Sequence, residues 1–478
     1  MSGSFFDEIL EKENGNSEDY DLEQEQLKML DFDVLSTKEE HKIRSVQHQE
    51  LKALKNTISS ELANKTSNKK LFGTRDKHEI DWLVKTIKEI IEQTGTKLPK
   101  TMQKKLVREM VLDITSLGKI HELIMDASIS EIMINAYDEI WVERKGKQVL
   151  TNIKFNNEEE VFELAVKIAN NVGRSITKTN PIVDARLPDG SRVNIVIPPI
   201  TMKGTTITIR KFFKEKLTIE DLIKFKSINR EAATFLETLV KARANIIISG
   251  GTGTGKTTTL NIVSNFIPPG ERLLTIEDAA ELQLNNEHVV KMEARTANAE
   301  GKGEVDIHKL VKTALRMYPH RLIIGEVRDG SAFELLQALN TGHDGSMTTV
   351  HANDPSGCIT RLESMALMNG VDMPSRAIRK NIADAVDIIV QIRKMSDGSR
   401  KIYSITEVVG YDEKNNNVVI GEIYKFNNKH INKEGAIEGE LEFTGHVVNK
   451  QLQDKFELNN LNYFKAVGLE NISTEIVD

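Results

Sequence analysis

Between residues 246 and 267 the chain carries an apolar run, a glycine-rich turn and a second apolar run at helical spacing, and few folds accommodate that order. The turn Gly250-Gly251-Thr252-Gly253-Thr254-Gly255-Lys256-Thr257 meets the pattern G-x-x-x-x-G-K-[ST]. Ile246-Ile247-Ile248 before it reads as a strand, and Leu260, Val263 and Ile267 after it read as a helix. A glycine-rich turn that arose by chance would lack both neighbours. Glycines let backbone N–H groups curl around phosphate, and the start of a helix adds a favourable dipole. Lys256 is expected to bridge the outer phosphates and Thr257 to reach Mg²⁺, with Thr258 completing the first helical turn. The implied cofactors are ATP and Mg²⁺.

From Ala244 onward strands and helices alternate: Leu273 to Ile276, a helix with Ile307, Leu310, Val311 and Ala314, then Leu322-Ile323-Ile324. This α/β alternation predicts a largely parallel sheet covered by helices, with its chemistry at the carboxyl ends of the strands. A phosphate-binding loop does not itself activate water, so an acid must stand near the terminal phosphate. One strand end delivers Glu277 and Asp278, with Glu281 four residues past Glu277, and another delivers Gly325-Glu326. Any one of these acids alone reads as a solvated strand-end carboxylate, whereas their shared placement favours chemistry. Gly325 stands where many such enzymes have an aspartate for the metal, so Glu326 is expected to act on Mg²⁺ through water.

The rest of the chain divides by composition and period. Residues 1–75 are rich in Glu, Lys, Gln, Asn and Ser and read as a mobile polar arm, too poor in apolar side chains to offset its own ordering. Ile80, Leu83, Val84, Ile87, Ile90 and Ile91, then Leu106, Met110 and Ile114, mark a helical bundle over residues 76–128. Residues 129–212 switch to short strands around a helix with Val161, Leu164, Ala165 and Ile168, an α+β domain. Residues 213–230 read as a linker holding one short helix, since Thr218 and Asp221 have capping-box spacing. The P-loop domain is expected over 231–427, followed by a polar C-terminal tail with short strands over 428–478. Asn298-Ala299-Glu300-Gly301-Lys302-Gly303-Glu304 has no apolar anchor and reads as a solvated loop.

Composition narrows the partners. With 71 acidic against 64 basic residues and a net charge of −7, no global positive field draws the chain to nucleic acid. Aromatic residues make up only 5%, so surfaces for stacking bases are scarce. No apolar run approaches the roughly 20 residues that span a bilayer, so a cytoplasmic chain is expected, held at a membrane only through partners. Cys358, the single cysteine, reads as a structural thiol.

Beyond the P-loop, the sequence resembles the secretion ATPase superfamily of type II and type IV systems. Its acidic box is Thr275-Ile276-Glu277-Asp278-Ala279-Ala280-Glu281, its atypical second acidic motif is Gly325-Glu326, and its histidine box is Gly342-His343-Asp344-Gly345-Ser346-Met347-Thr348-Thr349-Val350-His351-Ala352-Asn353. The likeness sharpens to the CpaF-type motors of Tad (Flp) pili through Ser130-Glu131-Ile132-Met133-Ile134-Asn135, Asp184-Ala185-Arg186-Leu187-Pro188-Asp189-Gly190-Ser191-Arg192 and Leu315-Arg316-Met317. Tyr318-Pro319-His320 departs from the usual Arg-Pro-Asp, and Asp329 matches the wider superfamily better than its CpaF-type members.

The resemblance implies a RecA-like P-loop ATPase domain preceded by a small α+β (PAS-like) domain and a helical bundle. It implies a homo-hexamer that works on an inner-membrane platform protein to assemble or retract a pilus. Glu277 becomes the expected general base, with Glu281 as its competitor, and Glu326 the metal-polarising carboxylate. Read by themselves, His343 and His351 are structural histidines or a metal pair; the resemblance makes His351 the γ-phosphate sensor. The absence of the cysteine clusters found in some type II relatives argues against zinc. Arg186, Arg192 and Arg210 read alone as surface cations, but in these motors the arginines of the preceding domain reach the nucleotide's phosphates. Two rivals remain from the residues: a RecA-like nucleic-acid translocase, and a scaffold that binds nucleotide without turnover.

Overall fold

The computed structural model describes residues 51–468 except 52, 63, 66–70, 74–75, 97, 145, 213–216, 296–301, 371 and 432–436. Residues 1–50 of the expected arm, and most of the expected loop at 298–304, lie outside the described residues. The chain divides into two compact units, Met1–Phe213 and Lys214–Asp478.

In the first unit, helix α1 (Lys77–Gln93) starts where the side chain of Asp76 accepts from the amides of His78 and Glu79, and α2 (Lys100–Thr115) follows after Pro99. Their apolar faces meet through Ile80, Leu83, Ile87, Leu106 and Met110. The structure corrects the expected arm here. Residues 53–62 are helical, and Leu54, Ile58 and Leu62 are buried in the same cluster, so the ordered bundle begins well before residue 76. Three apolar residues at i, i+4 and i+8 form a stripe that the polar composition of the surrounding segment hides.

After the short helix α3 (His121–Met125) come strands β1 (Ile129–Ala136), β2 (Glu139–Arg144) and β3 (Lys147–Leu150), helix α4 (Glu158–Asn171), and strands β4 (Ile182–Arg186), β5 (Arg192–Val196) and β6 (Thr206–Arg210). They form one antiparallel sheet in the order β3-β2-β1-β6-β5-β4. One face buries Ile132, Ile134, Val193, Ile195, Ile207 and Ile209 with Val161, Ala165 and Ile168 of α4. The period of two turns the intervening polar residues to the other face.

The second unit opens on α5 (Ile219–Lys224), whose Thr218–Asp221 capping box is formed, and α6 (Arg230–Lys241), capped by Asn229. Strand β7 (Ile246–Gly250) leads into α7 (Lys256–Ser264). Then follow β8 (Leu273–Glu277), β9 (Val289–Glu293), α8 (Ile307–Ala314), β10 (Arg321–Ile324), α9 (Ser331–Leu339), β11 (Met347–Val350), α10 (Pro355–Leu367), α11 (Ser375–Ala385) and β12 (Ile388–Lys394). The chain closes with β13 (Arg400–Asp412), β14 (Asn417–Ile431), β15 (Ile437–Phe443), α12 (Lys450–Leu458) and α13 (Tyr463–Ala466).

The sheet runs β15-β14-β13-β12-β7-β11-β10-β8-β9. The six strands from β12 to β9 are parallel, so their carboxyl ends share one edge, while β13 to β15 add antiparallel strands beside β12. Ile246 and Ile248 point to one core with α6 and α7, and Ile247 points to the other with α8 to α11. A strand buried on both faces must be apolar at every position, which is why 246–248 reads as an unbroken isoleucine run.

The expected polar tail over 428–478 is also corrected. Val448, Leu452, Phe456, Tyr463, Ala466 and Val467 are buried in the core beside Phe235 and Tyr424. Apolar residues spaced among Asn, Lys and Gln were enough to dock α12 and α13, although the segment's mean polarity is high.

Candidate active site

The turn after β7 is shaped by close approach. A Cβ on Gly250 would stand 2.6 Å from Thr254 Oγ1 and 2.9 Å from the carbonyl oxygen of Ile392, so no side chain fits. Thr254 Oγ1 in turn donates to the carbonyl of Gly251 at 2.9 Å, bracing the loop. Gly255 is the N-cap of α7 and, having no side chain, offers the first amides of that helix no cap of its own. Uncapped amides at a helix start, beside a buried lysine, form a receptor for an anion. Lys256 is that lysine: its Nζ donates to Gly251 O at 3.0 Å and lies 3.2 and 3.3 Å from the two ring nitrogens of His351.

The parallel register explains how distant residues meet here. Val350 pairs with Ser249, so His351 emerges level with Gly250, and Ile324 pairs with Ile276, so Gly325 emerges level with Glu277 and Glu326 follows one residue beyond. His351 Nε2 is 2.8 Å from Glu326 Oε1, although that oxygen makes no aligned hydrogen bond. Glu326 Oε2 accepts from Arg328 Nε at 2.8 Å, and Arg328 also lies 3.4 Å from Asp278. Burial and the neighbouring Lys256 lower the pKa of His351, with Glu326 opposing them, so its imidazole is held toward the neutral form.

Glu277 is the buried member of the acidic set. Its Oε1 accepts from the amides of Glu281 at 2.8 Å and Leu282 at 2.9 Å, while the buried Oε2 has no hydrogen-bond partner. Burial raises its pKa despite the two amides. Glu277 also accounts for Gly325. A Cβ at 325 would stand 3.0 Å from Glu277 Cγ, so a side chain there would force the glutamate to give way by a few tenths of an ångström. Glu281 contributes its amide to this arrangement, on the loop after β8.

The two box histidines separate. His343 precedes β11 at the amino edge of the sheet, its Nδ1 3.1 Å from Ala338 O, whereas His351 follows β11 at the carboxyl edge. Four strand residues at ~3.3 Å each keep them from sharing a metal ion. Cys358 is fully buried in α10, and burial pushes its thiol up to about 12.

In the first unit, Arg186, Arg192 and Arg210 occupy one cross-strand row. Arg186 pairs with Arg192 and Arg192 with Arg210, and the row continues to Glu131 of β1, whose Oε1 is 3.8 Å from Arg210 Nε. Two residues were given no role from the sequence. Arg328 joins the two acidic motifs, which its place two residues after Glu326 hinted at. Arg400 donates from Nε to Gly253 O at 3.0 Å across 147 positions, a contact with no local signal.

A family model described as "Type II/IV secretion system protein" matches residues 113–439, well over half of the chain. The chain belongs to that family. The type II/IV secretion match begins within the first unit and ends within the second. A putative conjugal transfer protein of Mycobacterium tuberculosis is 34% identical over 305 residues, covering 63% of this chain and 86% of the relative. The type IV secretion system protein VirB11 of Bartonella quintana is 31% identical over 341 residues, covering 63% of this chain and 94% of its own length. Among solved structures, the VirB11 ATPase of Brucella suis in complex with sulphate is 27% identical, covers 60% of this chain and 95% of that one, and has a TM-score of 0.33.

Proposed function

We propose that this member of the type II/IV secretion family is a motor ATPase that hydrolyses MgATP and delivers the work to a secretion or pilus machine. The observation that carries the reading is the meeting of Lys256, Glu326 and His351 at the open helix start, with the bare oxygen of Glu277 on the neighbouring strand end. Lys256 and the amides from Gly251 to Thr258 hold the phosphates. Thr257 and, through water, Glu326 would hold Mg²⁺, which would supply charge neutralisation to the phosphates. Glu277 accepts the proton of the attacking water. His351 senses the γ-phosphate: with Lys256 drawn to phosphate, the cation that suppresses its protonation is neutralised. The arginine row at 186, 192 and 210 supplies further positive charge to the phosphates during turnover. Like charges placed directly opposite across strands repel, and an anion relieves that repulsion.

The finer reading is a homo-hexamer of the CpaF type, acting on an inner-membrane platform protein in a Tad pilus. The sequence motifs support it, and no helix among the described residues is long and apolar enough to cross a membrane. Purified chain should release phosphate from MgATP without stimulation by single-stranded DNA, and Lys256→Ala should lower both nucleotide affinity and turnover by at least about tenfold. Release that survives Lys256→Ala, or that requires DNA, contradicts this assignment.

A further inference from the structure

Arg400 opens β13, just past the turn that joins it to β12. Its Nε donates to the carbonyl of Gly253 at 3.0 Å, and its Cδ lies 3.6 Å from where a Cβ on Gly255 would stand. A phosphate-binding loop turns its amides toward the anion, so a guanidinium on one of its carbonyls grips the loop from outside. A charged donor on a carbonyl polarises that peptide and makes the N–H of the same peptide, here that of Thr254, a stronger donor toward phosphate.

The same stretch of β13 also holds the segment that follows the first unit. Ser227 Oγ donates to Arg400 O at 2.7 Å, the amide of Ile402 donates to Ser227 O at 2.9 Å, and Lys401 Nζ donates to Lys226 O at 2.8 Å. Lys226 stands at φ 53, in a turn after α5 closed by the amides of Lys226 and Ser227 donating to Ile223 O at 2.9 Å and Leu222 O at 2.8 Å. Three consecutive residues, 400 to 402, therefore fasten the P-loop by a side chain and the linker turn by backbone and side chain together. Ser227 is 173 positions from Arg400, so the fastening comes from the fold and not from chain neighbourhood.

We propose that Arg400 is a positioning residue that couples filling of the P-loop by phosphate to the linker turn at Lys226–Ile228. The proposal rests on the ATP-binding reading above. When the loop amides turn to the phosphates, the Gly253 peptide turns with them, and Arg400 carries that rotation to the first residues of β13 and so to the turn.

The test compares full-length wild type, Arg400→Gln, Arg400→Lys and Ser227→Ala, measuring equilibrium affinity for Mg·ATPγS and hydrogen exchange over residues 218–228 with and without it. In wild type, nucleotide should slow exchange in this segment. Arg400→Gln should weaken binding about tenfold and erase the exchange difference, and Arg400→Lys should restore part of the affinity. Ser227→Ala should bind within about twofold of wild type yet show a reduced linker response, an outcome independent of whether Arg400→Gln folds. A merely structural Arg400 would lower thermal stability while leaving the exchange difference in place. A full exchange difference in Arg400→Gln, or in Ser227→Ala if the former does not fold, overturns the coupling. Wild-type binding with an unresponsive linker overturns the coupling alone, whereas wild type that binds no nucleotide overturns the ATP reading as well.

Discussion

At the scale of single residues, Glu277 and Gly325 form one packing arrangement, with the glutamate occupying the space a side chain at 325 would need. Burial makes Glu277 hold its proton to higher pH in the folded chain than in the unfolded one. Its protonated form therefore favours folding at low pH, a contribution lost as pH rises through the folded value. Turnover runs the other way, since the base must be ionised, and falls as pH drops through that same value. The acid limb of the phosphate-release rate should then lie above the ordinary carboxylate range and disappear, with most of the activity, in Glu277→Gln. A limb at the ordinary value, or near-normal turnover in that variant, moves the role to Glu281. The sequence showed Gly325 only as a missing aspartate, because the reason for the glycine lies on another strand. The P-loop itself was legible since its donors are consecutive, whereas Arg400 reaches it only through the β12–β13 pairing.

At the scale of elements, the alternation of Val193 and Ile195 in β5 and of Ile207 and Ile209 in β6 leaves Arg192 and Arg210 on the polar face, and the observed register makes them direct partners, with Arg186 beyond. Strand β4 itself was not read from the sequence: its two buried or half-buried apolar positions, Val183 and Ala185, are too few to show a period. Replacing Arg192 and Arg210 together by alanine removes two like charges from one row, so the thermal midpoint should fall little or not at all. Turnover should fall by about 10²-fold or more, by analogy with arginines that neutralise charge in phosphoryl transfer. Melting curves and steady-state rates on the same preparation separate the two effects. Normal turnover in the double variant would leave the row without a part in the chemistry. The helices α12 and α13 escaped the sequence reading for a different reason: their buried residues, Leu452, Phe456, Tyr463 and Ala466, are a few apolar anchors in polar sequence, and only the surface they dock on identifies them.

At the scale of the whole molecule, the alternating strands and helices of the second unit announced a parallel sheet, and the edge that gathers its strand ends followed from it. The start of the ordered first unit did not follow, because three buried residues in a polar segment carry little weight in composition. A chain begun at residue 51 keeps Leu54, Ile58 and Leu62, whereas one begun at residue 71 loses them from the bundle. At roughly 1.5–3 kcal/mol for each buried aliphatic side chain, the shorter chain should unfold its first unit at clearly lower urea than the longer one. Equal midpoints for the two would mean the three side chains add nothing to the bundle. The central claim is that the acids at the strand ends make this site hydrolytic and not merely a holder of nucleotide. It is tested most directly by bound ATP and released phosphate measured together in Glu326→Gln beside wild type. ATP retained at wild-type affinity with phosphate release lowered at least about 10²-fold is the predicted result. Release at the wild-type rate would contradict it.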